Sequence, residues 1–206
     1  MGIASLPLEI QLILVPTILF ALTFHEYAHA RVAYLLGDYT SYYQNRMNLN
    51  PFNHLDPFGT FALYFLGFGW AKPVPVLMQN LKNPREDMMI IAMAGPASNM
   101  LLAFIASIVY RLIFYFQLGI EFIFPLEIFI RINIILAIFN LIPLNPLDGS
   151  RILPLIVKNP RTLYNIEVYG PRILIGLIIL NLIGIPILST IIFTPVSIIF
   201  YLLTGA

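Results

Sequence analysis

The sequence predicts a mainly α-helical, polytopic membrane bundle of about four to five membrane segments, with a small β or re-entrant insertion after the first helix. Three observations carry that expectation. Hydrophobic residues make up 59% of the 206-residue chain and charged residues 10%, against about 45–50% and about 25% in soluble domains. The charges are also unevenly spread: 23 uncharged residues separate Asp87 from Arg111, and none of the 34 residues after Arg172 is charged. Stretches of that length match the roughly 20 apolar residues a helix needs to cross a bilayer. Finally, Asp38 to Asp87 interrupts the apolar pattern with Pro51, Pro57, Pro73, Pro75 and Pro84 among several Asn and Gly residues.

Each element follows in order. Ile10 to Phe24 is uncharged, and helical character continues through His25 and Glu26 to Leu36, with Gly37 as the stop. Within the insertion, Phe61-Ala62-Leu63-Tyr64-Phe65 and Val74-Pro75-Val76 read as strand-like pieces. They are expected to form a short sheet or re-entrant hairpin, because irregular backbone at membrane depth must be buried in protein or face a wet cavity. A second helix occupies the uncharged run after Asp87, and a third spans about Phe124 to Ile142. Glu127 and Arg131 on that third helix should lie near an interface or pair at i,i+4. Pro143 to Gly149 is too rich in proline for regular helix. Pro186 and Pro195 divide the C-terminal run into one full helix and a second, broken or re-entrant segment. No internal repeat or flexible linker is visible, so residues 1–206 read as one integral-membrane domain. Its core covers about 8–155 and its C-terminal membrane segments about 166–204.

Charge and cysteine content exclude several classes. Eleven Lys and Arg face ten Asp and Glu, a net charge of +1, which gives no basic field for nucleic acid. Cysteine is absent, so any metal must be held by His, Asp or Glu. No Lys or Arg precedes Arg31; the basic leader of a signal peptide is missing and the first apolar segment is expected to be retained. The loops after helices one and three hold most of the basic residues, so the positive-inside rule places them in the cytoplasm and the N-terminus outside. The ends of helices one and three then face the same side of a cell membrane.

Those two ends carry the chemistry. His25-Glu26-Tyr27-Ala28-His29 is H-E-x-x-H, and residues four apart share one face of a helix, which lets two imidazoles grip one zinc ion with a carboxylate beside them. Zinc lowers the pKa of a bound water toward ~7, and Glu26 is placed to take its proton. The ordinary alternative is a helix with two surface histidines. It conflicts with the cost of ionisable groups in an apolar span, roughly 2.5–3.5 kcal/mol each on insertion scales. A catalytic zinc takes a third protein ligand and keeps one position open. Leu35 stands where a metzincin would place its third histidine. Asp148, after an uncharged run from Ile132 and on a Pro-containing turn, is the strongest acidic candidate; its alternative role is to cap the next helix. Asn140 on the same element is either a helix-to-helix hydrogen bond or a donor to a scissile carbonyl.

The residues Phe24 to His29 together with Asn140-Leu141-Ile142-Pro143-Leu144-Asn145-Pro146-Leu147-Asp148-Gly149 resemble the site-2 protease family (peptidase M50) of intramembrane zinc metalloproteases. So do Leu49 to Thr60, Gly69 to Val76, and Ala94-Gly95-Pro96-Ala97-Ser98-Asn99. The resemblance runs from about Leu22 to Leu155. It implies three helices around one Zn2+ per chain, with His25, His29 and Asp148 as ligands, Glu26 as base and Asn140 assisting the tetrahedral intermediate. It also implies a substrate, the transmembrane helix of another protein, cut within the bilayer and often to release a regulator. The chain looks like a minimal member, without room for an inserted PDZ-like domain or a CBS pair. Tyr39 and Asn45 depart from the Pro and Gly expected there.

Two further features stay open on sequence alone. His54 could gate or ligate the metal, or bond a backbone carbonyl. Gly95 to Asn99 either serves close helix packing or supplies a substrate-accommodating break. A metal transporter and an inactive protease-like scaffold are the competing readings of the whole chain. The first lacks a ladder of ionisable groups across the membrane, and the second conflicts with an intact His25, Glu26, His29 and Asp148. Because a peptide bond in a regular helix is shielded, the insertion is further expected to offer a strand edge to an unwound substrate.

Overall fold

A computed structural model describes residues 2–205. Its helices are α1 (Leu8–Leu35), α2 (Thr40–Tyr43), α3 (Pro51–His54), α4 (Pro57–Leu66), α5 (Pro84–Phe116), α6 (Ile123–Asn140), α7 (Leu153–Ile156), α8 (Pro160–Leu182) and α9 (Ile187–Thr204). Five of these, α1, α5, α6, α8 and α9, are long and apolar enough to cross a membrane. The helix-bundle expectation therefore holds. α1 stops one residue earlier than anticipated, and Gly37 follows it at φ +103°, a left-handed conformation that a side chain rarely adopts. α9 runs unbroken through Pro195, contrary to the expected break. In lipid a freed carbonyl finds no water, so keeping the remaining helical bonds costs less than opening the segment.

α5 packs against both α1 and α6, and α1 also touches α6, which makes these three the centre of the bundle. Small residues let their backbones approach: Ala21, Ala30 and Ala33 of α1, Ala103 of α5 and Ala137 of α6 are fully buried. Helix α9 covers α6 and α5, burying Ile192, Val196 and Phe200 against Ile130 and Ile134. Outside this core the helices present Leu101, Phe104, Ile175, Ile179, Phe193 and Ile198. On helices of this length such a surface suits acyl chains, and the chain is a multi-pass membrane protein. Glu127 and Arg131 do not pair with each other. Glu127 accepts a 3.3 Å hydrogen bond from the Tyr110 hydroxyl, and the Arg131 guanidinium lies 3.6 Å above the Phe200 ring.

The insertion departs most from expectation. Among the described residues there is no strand; one isolated antiparallel bridge joins Leu55 to Ala71. The aromatic run Phe61 to Phe65 lies inside α4. Local capping explains this: the Asp56 carboxylate accepts from Gly59 N–H, Pro57 occupies the first helical position, and Gly67 closes the helix in the left-handed region. Asn50 caps α3 in the same way, ahead of Pro51. Asn45, one of the two departures from the family pattern, has φ +53°, a conformation Asn tolerates better than most residues.

Residues 70–77 form an extended strap, and several of its backbone groups are already engaged by the protein. Lys72 N–H donates to His54 O at 2.8 Å, and Val74 N–H to Glu26 Oε2 at 2.9 Å. Ser41 Oγ donates to Pro75 O at 2.6 Å, while Arg46 Nη2 reaches Lys72 O at 2.8 Å and Pro73 O at 3.3 Å. Leu77 N–H donates to Asp38 Oδ2 at 2.7 Å. Pro73 and Pro75 have no N–H to offer. The expected sheet is therefore absent: among the described residues the strap pairs with the rest of the chain through one isolated bridge. Asp38 anchors the strap's end. Burial raises its pKa, but hydrogen bonds from Thr40, Asn80 and Leu77 outweigh this and hold the carboxyl below its ordinary value.

Candidate metal centre

α1 delivers His25 and His29 one turn apart, both more than nine-tenths buried, at about 15 Å and about 9 Å from the helix end at Leu35. Asp148 comes from the segment that follows α6. After α6 ends at Asn140, the turn through Pro143 and Pro146 carries the chain back, and Asp148 opens a 3-10 turn over Asp148–Ile152. Its carboxylate makes no capping hydrogen bond. Instead, Asp148 Oδ2 lies 3.2 Å from His25 Nε2 and 3.3 Å from His29 Nε2, and the two Nε2 atoms are 3.0 Å apart. The three predicted ligands come together as one group.

The other ring nitrogens decide what those three atoms are. His29 Nδ1 lies 2.7 Å from Ile91 O, which can only accept, so Nδ1 carries the proton and Nε2 is a bare lone pair. His25 Nδ1 lies 2.7 Å from Asn99 Oδ1, with the same consequence. Two lone pairs and a carboxylate oxygen thus converge, and the buried Asp148 Oδ2 has no hydrogen-bond donor among the described residues. Such a trio repels itself unless a proton or cation sits among it. Nitrogen and carboxylate ligands with one approach left open suit zinc.

The fourth side of the group is shaped by α5. A Cβ on Gly95 would lie 2.6 Å from both Nε2 and Cε1 of His25, and would also collide with His29 Nε2. Only a glycine admits the imidazoles this close to the helix. Glu26, 7% exposed, stands beside the ligands with Oε2 held by Val74 N–H. All four residues line a cleft of about 750 Å³, whose walls include Phe68, Trp70, Asn140, Leu174 and Ile178. Asn140 donates to Leu136 O at 2.9 Å, and the second N–H of its amide has no partner among the described residues. His54 lies apart from this group. It is 1% exposed, and its Nε2 is 2.8 Å from Asn48 O, so it bonds a backbone carbonyl while its own carbonyl supports the strap.

Three contributors escaped the sequence reading: Ile91 O, Gly95 facing the ligands, and Asn99. A signal for them exists. Residues 91, 95 and 99 are four apart, so they share one face of α5, and that face carries a polar residue in an apolar span.

A bundle of membrane-length helices with two buried histidines, a partly buried aspartate and an adjacent carboxylate is the architecture of a membrane metalloprotease. Sequence comparison agrees. The model of Peptidase family M50 matches residues 116–183, the part that holds Asn140 and Asp148. A relative from Bacillus subtilis (strain 168), named "Putative zinc metalloprotease YwhC", is 43% identical over 155 residues, covering 71% of this chain and 70% of its own. The chain belongs to peptidase family M50. No solved structure matches it.

Asp148→Asn tests the third ligand. A neutral amide is a poor donor to zinc, so affinity for the metal should fall by more than the roughly 10- to 100-fold that losing an outer-shell partner costs. Metal affinity measured by competition with a chromophoric chelator checks this; an unchanged value would remove Asp148 from the ligand set.

Proposed function

We propose that this chain is an intramembrane zinc endopeptidase of a cell membrane, cutting peptide bonds in transmembrane segments of other proteins, with its site toward the cytoplasmic side. One observation carries the reading: three metal-ligand atoms and a carboxylate base share a cleft among helices long enough to span the bilayer. The cytoplasmic assignment rests on the positive-inside rule alone.

Zinc, when bound by His25, His29 and Asp148, supplies a Lewis acid for the water and for the scissile carbonyl. The remaining chemistry belongs to the chain. Glu26 Oε2 is occupied by Val74 N–H, which leaves Oε1 to accept the proton as water adds to the carbonyl carbon. The same carboxyl then returns that proton to the amide nitrogen as the C–N bond breaks. Asn140, on the wall of the cleft, offers its unpartnered N–H to the oxygen that gains charge.

A substrate helix must unwind locally before its carbonyl can enter this cleft, because in a regular helix each carbonyl is bonded and covered. Replacing Ala by Gly near the cut costs the helix about 1 kcal/mol, so cleavage should accelerate roughly fivefold. The experiment uses purified enzyme in liposomes with a single-span substrate and locates the cut by mass spectrometry. The expected cut lies within the apolar span and responds to Gly, Asn and Pro placed beside it. A cut in the polar flanks would reject the intramembrane reading, and rates indifferent to helicity would reject the unwinding step.

A further inference from the structure

Three buried amide and imidazole groups form a chain through the middle of the bundle: Asn133 of α6, Asn99 of α5 and His25 of α1, all at most 4% exposed. Asn133 Nδ2 donates to Phe129 O at 2.9 Å, and its Oδ1 accepts from Asn99 Nδ2 at 3.0 Å. Asn99 Nδ2 also donates to Ala21 O at 3.1 Å, and its Oδ1 faces His25 Nδ1 at 2.7 Å.

This chain admits one orientation of every group. Turning the Asn133 amide would set its oxygen against Phe129 O; turning the Asn99 amide would set its oxygen against Ala21 O and its nitrogen against His25. Each flip places acceptor against acceptor at fully buried amides, where an unpaired polar group costs on the order of 1–3 kcal/mol. With both amides fixed, Asn99 can only accept from His25. The proton is thereby held on Nδ1, and Nε2 is left bare toward Asp148 and His29.

We propose that Asn99 and Asn133 are positioning residues for the metal: Asn133, without touching the site, fixes Asn99, and Asn99 fixes the tautomer and ring angle of His25. This rests on the metal site assigned above. Residues that act through a ligating histidine typically change metal affinity by about 10- to 100-fold. Asn99→Leu should weaken zinc binding within that range. Asn133→Leu removes one of the two acceptors that hold the Asn99 amide, leaving Ala21 O alone, and should weaken it by up to about 10-fold. Asn133→Asp keeps an oxygen facing Asn99 and, as the neutral acid, a donor to Phe129 O, so it should restore affinity. The Asn99→Leu, Asn133→Leu double variant should bind no worse than Asn99→Leu alone, since the outer residue acts only through the inner one.

The test is a double-mutant cycle of zinc affinity on the full-length protein in detergent, with thermal melting of the metal-free forms as a control for folding. Equal affinities for the wild type and Asn133→Leu would overturn the relay, as would losses that add in the double variant. Should Asn133→Leu fail to fold, the affinities of Asn133→Asp and Asn99→Leu still decide the matter: a weak Asn133→Asp or an unaffected Asn99→Leu overturns it. A wild type that binds no zinc would remove the metal site itself. A zinc-binding wild type with indifferent amides would remove only the relay.

Discussion

Glu26→Gln is expected to keep the metal and lower peptide hydrolysis by roughly 10²- to 10⁴-fold, the usual contribution of a positioned general base. The local geometry makes the substitution informative. Val74 N–H donates to one oxygen of Glu26, and a glutamine can satisfy that donor only by turning its own oxygen toward it. Its NH2 group must then face the position from which the water proton leaves, and an amide nitrogen accepts no proton there. Shape and backbone contact are preserved while the acceptor is lost. Side-by-side metal content and initial rates check the prediction. Full activity in the variant would reject the role of Glu26, and loss of metal would show that it holds the site together.

Gly95→Ala is expected to abolish metal binding and activity together, although it adds only one methyl group. The new carbon would lie 2.6 Å from His25 Nε2 and would overlap His29 Nε2, so the imidazoles must leave the positions in which they meet Asp148. Neither ring can yield freely. His25 Nδ1 is tied to Asn99 and His29 Nδ1 to Ile91 O, and protein interiors pack too densely to absorb such an overlap without displacement. Gly176→Ala in α8 is the control, because a Cβ there meets nothing within 4 Å. It should leave metal content and rate unchanged. Retained metal in Gly95→Ala would mean that α5 can retreat from the ligands.

The parts that were legible in the sequence are those whose signal is local. Apolar runs of bilayer length gave the long helices, and the i,i+4 histidines with the carboxylate between them gave half of the metal group. Asp148 was legible because it ends an uncharged run, a position that a membrane protein seldom fills with a charge. The insertion was misread because aromatic residues favour strands on average. Its capping signals, Asp56-Pro57 and Gly67, were nonetheless present and outweighed that preference. What surrounds the ligands was not legible in detail, because it depends on which helix faces which. Asn99 reads as a packing residue until α5 is laid against α1, and only then does its oxygen meet His25. Val74 likewise acts through its backbone N–H, which no residue type announces.

A bound metal is what would join His25, His29 and Asp148 into one catalytic centre. The decisive measurement strips the purified protein with a chelator, titrates zinc back, and follows cleavage of a single-span substrate against zinc bound per chain. The expected result is activity that rises with occupancy to one zinc per chain and then stops, and that never appears in a His25→Ala, His29→Ala variant. Cleavage that persists after chelation, or zinc taken up equally by that variant, would contradict the assignment of His25, His29 and Asp148 as the catalytic metal centre.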